Sequence, residues 1–299
     1  MNTVPFNKYY KHFGIISIIL VILSLCFLLF KGLNYGVDFK GGTLIEIRIE
    51  TTDHSVSKVR DVFNKSNLSN LTVKNFGNKT DYIVKFQKQN LDNPEFINNL
   101  KNEVYKSFPD IKFRRVENVG PKVSSELLKS GIIAISLSLT AMLFYIWIRF
   151  EWQFSLGAIL ALFHDIIITL GIFSFLSLEI NLSIVAAVLT IVGYSMNDTV
   201  VIFDRVRDNL KKYIDIKIFE LTNKSINETL SRTILTSATT LLALFSIFFL
   251  GGEILRGFSL AMILGVIIGT YSSIYIANPV LVRLNVNHYT VVKKEEEKN

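Results

Sequence analysis

The residues best suited to chemistry lie where charge is costly. GYSMNDTVVIFDRVRDN (193–209) carries Asn197 and Asp198 inside an apolar run that begins at Leu182, followed by Asp204, Arg205 and Arg207. A charged Asp at the centre of a membrane helix costs about 2.5–3.5 kcal/mol on insertion scales, so such residues face a bundle interior and usually work there. Burial disfavours an ionised carboxylate and a neighbouring cation favours it; a group held between the two can exchange protons, as a relay requires. The alternative is a hydrogen bond that locks helices together. A relay is the favoured reading for Asp198. Asn197 is beside it, Ser195 and Thr199 add hydroxyls, and Gly193 leaves room for close packing.

The other candidates differ in kind. Asp165, preceded by His164 in ALFHDIIITLG, falls near the middle of the preceding apolar stretch and is either a second relay member or a polar packing contact. Asp204 sits at the membrane edge, where an ion pair with Arg205, Arg207 or another basic group is expected. Its spacing of six from Asp198 puts the two on different faces, so they form no carboxylate dyad. Arg232 opens the next apolar run, SRTILTSATTLLALF. It either snorkels to the surface, the default, or reaches inward to Asp198 as a counter-ion. Thr233, Thr236, Ser237, Thr239 and Thr240 make that run a fair wall for a wet path. Gly265 and Gly269 offer a small-xxx-small packing face.

Other chemistries find no support. The four histidines and the single Cys26 form no metal-ligand pattern, and no nucleotide loop or nucleophile–base set occurs. Cys26 lies among Leu and Phe and reads as a packing residue. No metal, no cofactor and no enzymatic activity are expected.

The elements that must position these residues are membrane helices. The chain is 50% hydrophobic with a mean hydropathy of +0.39, too apolar for a soluble domain. Six stretches approach the roughly 20 apolar residues of a span: 14–30, 130–148, 154–176, 182–203, 233–250 and 258–279. The first is longer than a signal-peptide core and no small-residue cleavage site follows, so it reads as an uncleaved span. The net charge of +7 is a topology signal rather than a nucleic-acid footprint. With six spans the basic residues of 8–11, 149, 205–232 and 283–294 fall on one side, and the short loops opposite carry only Arg256. That asymmetry puts both termini in the cytoplasm. The expected organisation is an N-terminus and first span at 1–31, a polar domain facing away from the cytoplasm at 32–129, a five-helix region at 130–281 with a charged cytoplasmic loop at 204–232, and a tail at 282–299.

The polar domain has its own pattern. TLIEIRIE alternates like a half-buried strand, and SVSKVRDVFNKS places Val56, Val59, Val62 and Phe63 on one helical face with Ser55 as cap. LTVKNF and DYIVKFQ are strands joined through a Gly77-Asn78 turn. PEFINNLKNEVYKSF starts with a proline and puts Phe96, Ile97, Leu100, Val104 and Phe108 at helical spacing. IKFRRVENV closes as a strand. The order β-α-β-β-α-β predicts a ferredoxin-like α+β sandwich. Its acidic residues read as solvated, and His54, its one histidine, has no ligand cluster. Binding or mechanical coupling suits it better than catalysis.

These segments together resemble a known family. GYSMNDTVVIFDRVRDN is similar to the hallmark stretch of the SecF family, the smaller membrane subunits of the SecD–SecF protein-export complexes. GVDFKGGT (36–43), with Asp38, Gly41, Gly42 and Thr43, resembles the GxDFxGGT stretch after the first span. SRTILTSATTL and FLGGEILRGFSLAMILGVIIGTYSSIYIA also look like that family. The resemblance implies an RND-type half-transporter: six transmembrane helices plus one ferredoxin-like periplasmic domain in the bacterial inner membrane. It implies SecD as heterodimer partner and work beside the SecY–SecE–SecG channel and SecA on a translocating preprotein, driven by the proton-motive force. It assigns the proton pathway to Asp198 and moves Arg232 toward pairing with it. A proton-driven small-solute transporter and a non-conducting assembly factor are the competing readings.

Overall fold

The computed structural model describes residues 3–50, 55–66, 68–76, 78–87 and 94–291. His54, Gly77 of the expected turn and the charged tail 293–299 lie outside the described residues. Helix α1 is Tyr10–Phe30. Then come β1 (Gly42–Ile49), α2 (Val56–Asn64), β2 (Ser69–Phe76), β3 (Asn78–Gln87), α3 (Pro94–Ser107) and β4 (Ile111–Val119). The long helices follow: α4 (Pro121–Arg149), α5 (Trp152–Phe175), α6 (Leu182–Lys212), α7 (Ile218–Leu250) and α8 (Gly252–Ser272), which continues through a π-turn, Ser273–Ala277, into α9 (Asn278–Arg283). The chain divides into two compact units, Tyr35–Ile133 and the remainder.

The smaller unit has the expected ferredoxin-like topology. Its sheet runs β2-β3-β1-β4 with every neighbouring pair antiparallel. Val59 and Phe63 of α2, Leu100 and Val104 of α3 and the adjoining Phe108 pack on Ile45, Ile47, Tyr82, Val84 and Phe86. Both helical stripes are where the 3.6-residue period puts them. The Ser55 side chain accepts the Lys58 N–H at 3.3 Å, as the cap reading required.

Two expectations for this unit are corrected. Strand β1 does not alternate: Leu44 and Glu46, on the face opposite its isoleucines, are buried as well. It is a central strand with a neighbour on each side, so long side chains from β3 and β4 close over its polar face. Nor are the acidic groups all solvated. Asp81 is 4% exposed and accepts two hydrogen bonds from Arg48, at 2.6 and 2.7 Å, with Arg114 at 3.4 Å. Glu46 faces Arg115 at 3.7 Å.

The GG stretch has a backbone role. Gly41 and Gly42 have φ of 75° and 136°. A Cβ on Gly42 would sit 2.8 Å from the Phe86 carbonyl oxygen, so only glycine fits. Thr43 donates to the Asn118 side chain at 3.1 Å, and Asp38 opens a one-turn helix, Val37–Lys40.

Among the described residues these helices are long and apolar enough to cross a membrane: Phe6–Phe30, Pro121–Arg149, Trp152–Phe175, Leu182–Lys212, Ile218–Leu250 and Leu255–Arg283. Half or more of the apolar window is buried in the third, fourth and sixth, against less than a fifth in the others. Thus α5, α6 and α8 form the centre of the bundle. The charged segment 204–232, expected to be partly helical, is mostly helix, since α6 runs on to Lys212 and α7 starts at Ile218. No Pro or Gly interrupts it, and Val206, Leu210, Leu221 and Ile226 keep a buried stripe going past the apolar run. Glycines set the close contacts. A Cβ on Gly265 would lie 2.3 Å from Ile191 Cγ1, and one on Gly171 would lie 2.3 Å from Ser24 Cβ.

Candidate functional site

The polar core of the bundle is assembled from α5, α6 and α8. Helix α6 continues apolar periodicity on both sides of its polar positions, so Ser195, Asp198 and Thr199 are drawn inward with Ile191, Val192, Ile202 and Phe203. Helix α8 contributes the hydroxyl run Thr270, Ser272 and Ser273 at the start of the π-turn. Pro279 removes one backbone donor there; Asn278 Nδ2 donates to the Ser273 carbonyl at 2.7 Å and helps close the irregular turn.

Two carboxylates occupy this core with contrasting surroundings. Asp165 is fully buried. Ser195 and Ser272 donate to its Oδ2 at 2.5 and 2.8 Å, and His164 Nδ1 faces its Oδ1 at 2.9 Å. Three helices therefore meet on one side chain. The other ring nitrogen, His164 Nε2, is buried without a partner among the described residues. Asp198 is 4% exposed and receives one long hydrogen bond, from Thr270 at 3.4 Å; Thr270 is also 2.8 Å from Ser237 of α7. Thr199 of α6 also donates to Ser273 at 3.2 Å.

The Arg232 charge acts on Asp198, but no ion pair within 4.0 Å joins them among the described residues, and Arg232 is exposed. Arg232 makes no direct bond to Asp198 among the described residues. Most hydroxyls of α7 also differ from the expected wet wall. Thr236 and Thr239 bond to carbonyls of their own helix, and of Thr233, Thr236, Ser237, Thr239 and Thr240 only Thr233 and Ser237 are buried.

Two neighbours of Asp198 are corrected. Asn197 is exposed, because one residue turns the helix by about 100° and carries it off the buried face. Gly193 is exposed too, and a Cβ there would meet nothing within 4 Å. Close packing against α6 comes instead from Gly265 and Gly269. With Leu182, Ala186 and Thr190, these two residues form an uncovered stripe along α6.

The boundary charges form a separate group. Asp204 accepts from Arg149 of α4 at 2.9 Å and has Arg207 at 4.0 Å. Arg207 pairs with Glu151 at 3.2 Å, while Arg205 bonds to Glu228 of α7 at 2.7 Å. The main partner of Asp204 is Arg149 rather than Arg205. Asn209 also bonds to Glu228, at 2.7 Å, and to Ser225. Thr270, Ser272, Glu228 and Asn209 were not singled out from sequence. A run of hydroxyls in the otherwise apolar GTYSS was the available signal for the first two. Among the described residues, no group of three or more His, Cys, Asp or Glu comes together as metal ligands.

Comparison with known proteins agrees with this architecture. Residues 99–287 match the model of the protein export membrane protein SecD/SecF C-terminal family, and residues 27–53 match the SecD/SecF GG motif. The protein translocase subunit SecF of Rickettsia bellii is 45% identical over 267 residues, 89% of this chain and 88% of its own length. That of Vibrio alginolyticus is 40% identical over 302 residues, 99% and 95% of the two chains. The crystal structure of SecDF from Thermus thermophilus, a translocon-associated membrane protein, superposes with a TM-score of 0.86 at 34% identity over 95% of this chain. A super-membrane-facing form of SecDF gives 0.70 at 33% identity over the whole chain. This chain spans 39% and 40% of the length of those two SecDF chains. On the strength of these matches and of the six-helix bundle carrying a GG-motif domain, the chain belongs to the SecD/SecF family of protein export membrane proteins.

Proposed function

We propose that the chain is the SecF-type subunit of a Sec translocase accessory complex in the bacterial inner membrane, and that Asp198 is the proton-carrying group through which it uses the proton-motive force. It is a transport subunit, not an enzyme. The observation that carries the proposal is the contrast between the two buried carboxylates. Asp165 is held by donors from α5, α6 and α8; Asp198 has one stretched bond and a cation nearby that does not pair with it. A group that must gain and lose a proton cannot also be the fully bonded joint of the bundle. Asp165, with His164, is the supporting joint and a lesser candidate for the proton path. Asn197, off the buried face, reaches the path only through its neighbours.

Protonation would act through α8. A carboxylate only accepts hydrogen bonds, whereas a carboxylic acid also donates. Adding a proton to Asp198 reverses the Thr270 contact, frees Ser237 to re-pair and releases the pull on Arg232. The π-turn that follows is the irregular segment through which α8 could re-pack, a two-state element biased by one proton.

The partners follow from the family. SecD would cover the α6 stripe that carries Gly193 and Asn197, and the SecY–SecE–SecG channel, SecA and a preprotein would complete the assembly. Both termini would be cytoplasmic and residues 32–129 periplasmic, where that domain would engage the emerging chain.

The test is proton-driven preprotein export in inverted membrane vesicles carrying Asp198→Asn. Loss of the proton-dependent part of export, with normal insertion of the subunit, supports the relay. Unchanged export excludes it and leaves the assembly-factor reading. A Gly193→Leu variant should lose SecD on copurification while keeping its own fold; retention of SecD would remove the proposed contact face.

A further inference from the structure

A groove of about 380 Å³ opens between α1, α5 and the α8–α9 helix. Its walls are apolar, with Ile18 and Ile22 of α1, Leu160 and Ile167 of α5 and Val280 of α9 among them, and no carboxylate lines it. On α1 the lining runs from Tyr10 to Ile22, which at about 1.5 Å per residue is about 18 Å. Half of a hydrocarbon core of about 30 Å is about 15 Å, so the groove has the depth of one leaflet. Spread over that length, the space is a groove narrower than a helix with its side chains, about 10–12 Å. It admits a single hydrocarbon chain and excludes a protein helix.

Two residues give the groove its character. Gly14 forms the floor, and a Cβ there would meet nothing within 4 Å, so its smallness serves no contact inside the bundle. Arg283 closes the end next to Tyr10; it is exposed and has no hydrogen-bond or ion-pair partner among the described residues. Lys8 and Lys11 adjoin that end of α1 in sequence.

We propose that this groove holds one acyl chain of an anionic phospholipid, with the phosphate at Arg283 and the chain lying over Gly14 toward Ile22. The zwitterionic lipids of the same leaflet offer the same chain without the net charge, so selectivity rests on Arg283. The chain would also cover the side of the bundle where His164 reaches the groove, sealing the Asp165 joint from below.

The test places the purified full chain in nanodiscs with phosphatidylglycerol or phosphatidylcholine bearing a photoreactive group midway along one acyl chain. Labelled peptides are mapped by mass spectrometry. Phosphatidylglycerol should label residues 14–22 and 160–167 about fivefold more than phosphatidylcholine, the factor equivalent to about 1 kcal/mol for one basic group at an anionic surface. Arg283→Gln should bring that ratio close to one. Gly14→Leu should cut groove labelling at least fivefold and leave labelling at Leu235 and Leu242, exposed on α7, unchanged. Equal labelling by the two lipids in the wild-type chain overturns the proposal, as does a folded Gly14→Leu chain labelled like wild type. Arg283→Gln alters an exposed residue without partners and decides the matter even if Gly14→Leu does not fold.

Discussion

Replacing Asp165 with alanine should destabilise the bundle far more than the same change at Asp198. The two carboxylates sit in the same polar core, so burial alone does not distinguish them; their hydrogen bonds do. Asp165→Ala strands Ser195, Ser272 and His164 Nδ1, which now face it at 2.5, 2.8 and 2.9 Å. Hydrogen bonds between membrane helices average about 0.6 kcal/mol, and typical protein hydrogen bonds contribute about 0.5–1.5 kcal/mol. Three contacts at those values give about 2–4 kcal/mol. Asp198→Ala removes one contact at 3.4 Å, long enough to be weak, and the loss should stay under about 1 kcal/mol. The assay is thermal unfolding of the purified subunit in one detergent, followed by intrinsic fluorescence of Trp147 and Trp152, with unfolding in mixed micelles as a second measure. The expected order of stability is wild type, close to Asp198→Ala, well above Asp165→Ala. If Asp198→Ala is as damaging as Asp165→Ala, then Asp198 is itself a structural lock, and the division of labour between the carboxylates is wrong.

Four further outcomes are expected. Gly171→Ala would put a methyl group 2.3 Å from Ser24 Cβ and 2.7 Å from its Cα, so α1 must back away from α5 at a cost of about 1–3 kcal/mol; Ser24→Gly in the same chain should recover only part of the lost thermal stability, because the Cα remains. In the smaller unit, hydrogen bonding to Arg48 and the charge of Arg114 together outweigh desolvation and hold the Asp81 carboxyl below its usual range. A lowered carboxyl stabilises the fold above its unfolded-state value and loses that contribution as pH falls through the folded one, so Asp81→Asn should flatten the acid limb of urea titrations on residues 35–133. Glu46, raised chiefly by burial, acts with the opposite sign and should gain folded stability on protonation. Arg149→Met breaks a pair whose two side chains are 41% and 40% exposed, and it should change thermal stability by less than about 1 kcal/mol.

Most of the large-scale design is legible along the chain. Apolar run length marks the spans, because a helix must bring its own hydrogen bonds and about 20 apolar residues to cross hydrocarbon. The 3.6-residue stripes of α2 and α3 picked out Val59, Phe63, Leu100 and Val104 correctly, since a small sandwich has one core for them to face. Asp198 and Asp165 stand out for a similar reason: an acid in an apolar run is conspicuous before its partners are known.

What the residues could not reveal by themselves depends on neighbours distant in sequence. Asn197 and Asp198 are adjacent, and only the packing of α6 on α8 decides that one is buried and the other exposed. Strand β1 reads as half-buried until β3 and β4 are laid beside it. Where α6 ends is set by Leu221 and Ile226, on the next helix, rather than by loss of hydrophobicity. The difference between a locked Asp165 and a loosely held Asp198 rests on Ser272 and Thr270, more than 70 residues away from either in the chain. Sequence periodicity fixes which residues share a face of their own helix; which side chains of another helix meet that face is settled only when the helices pack.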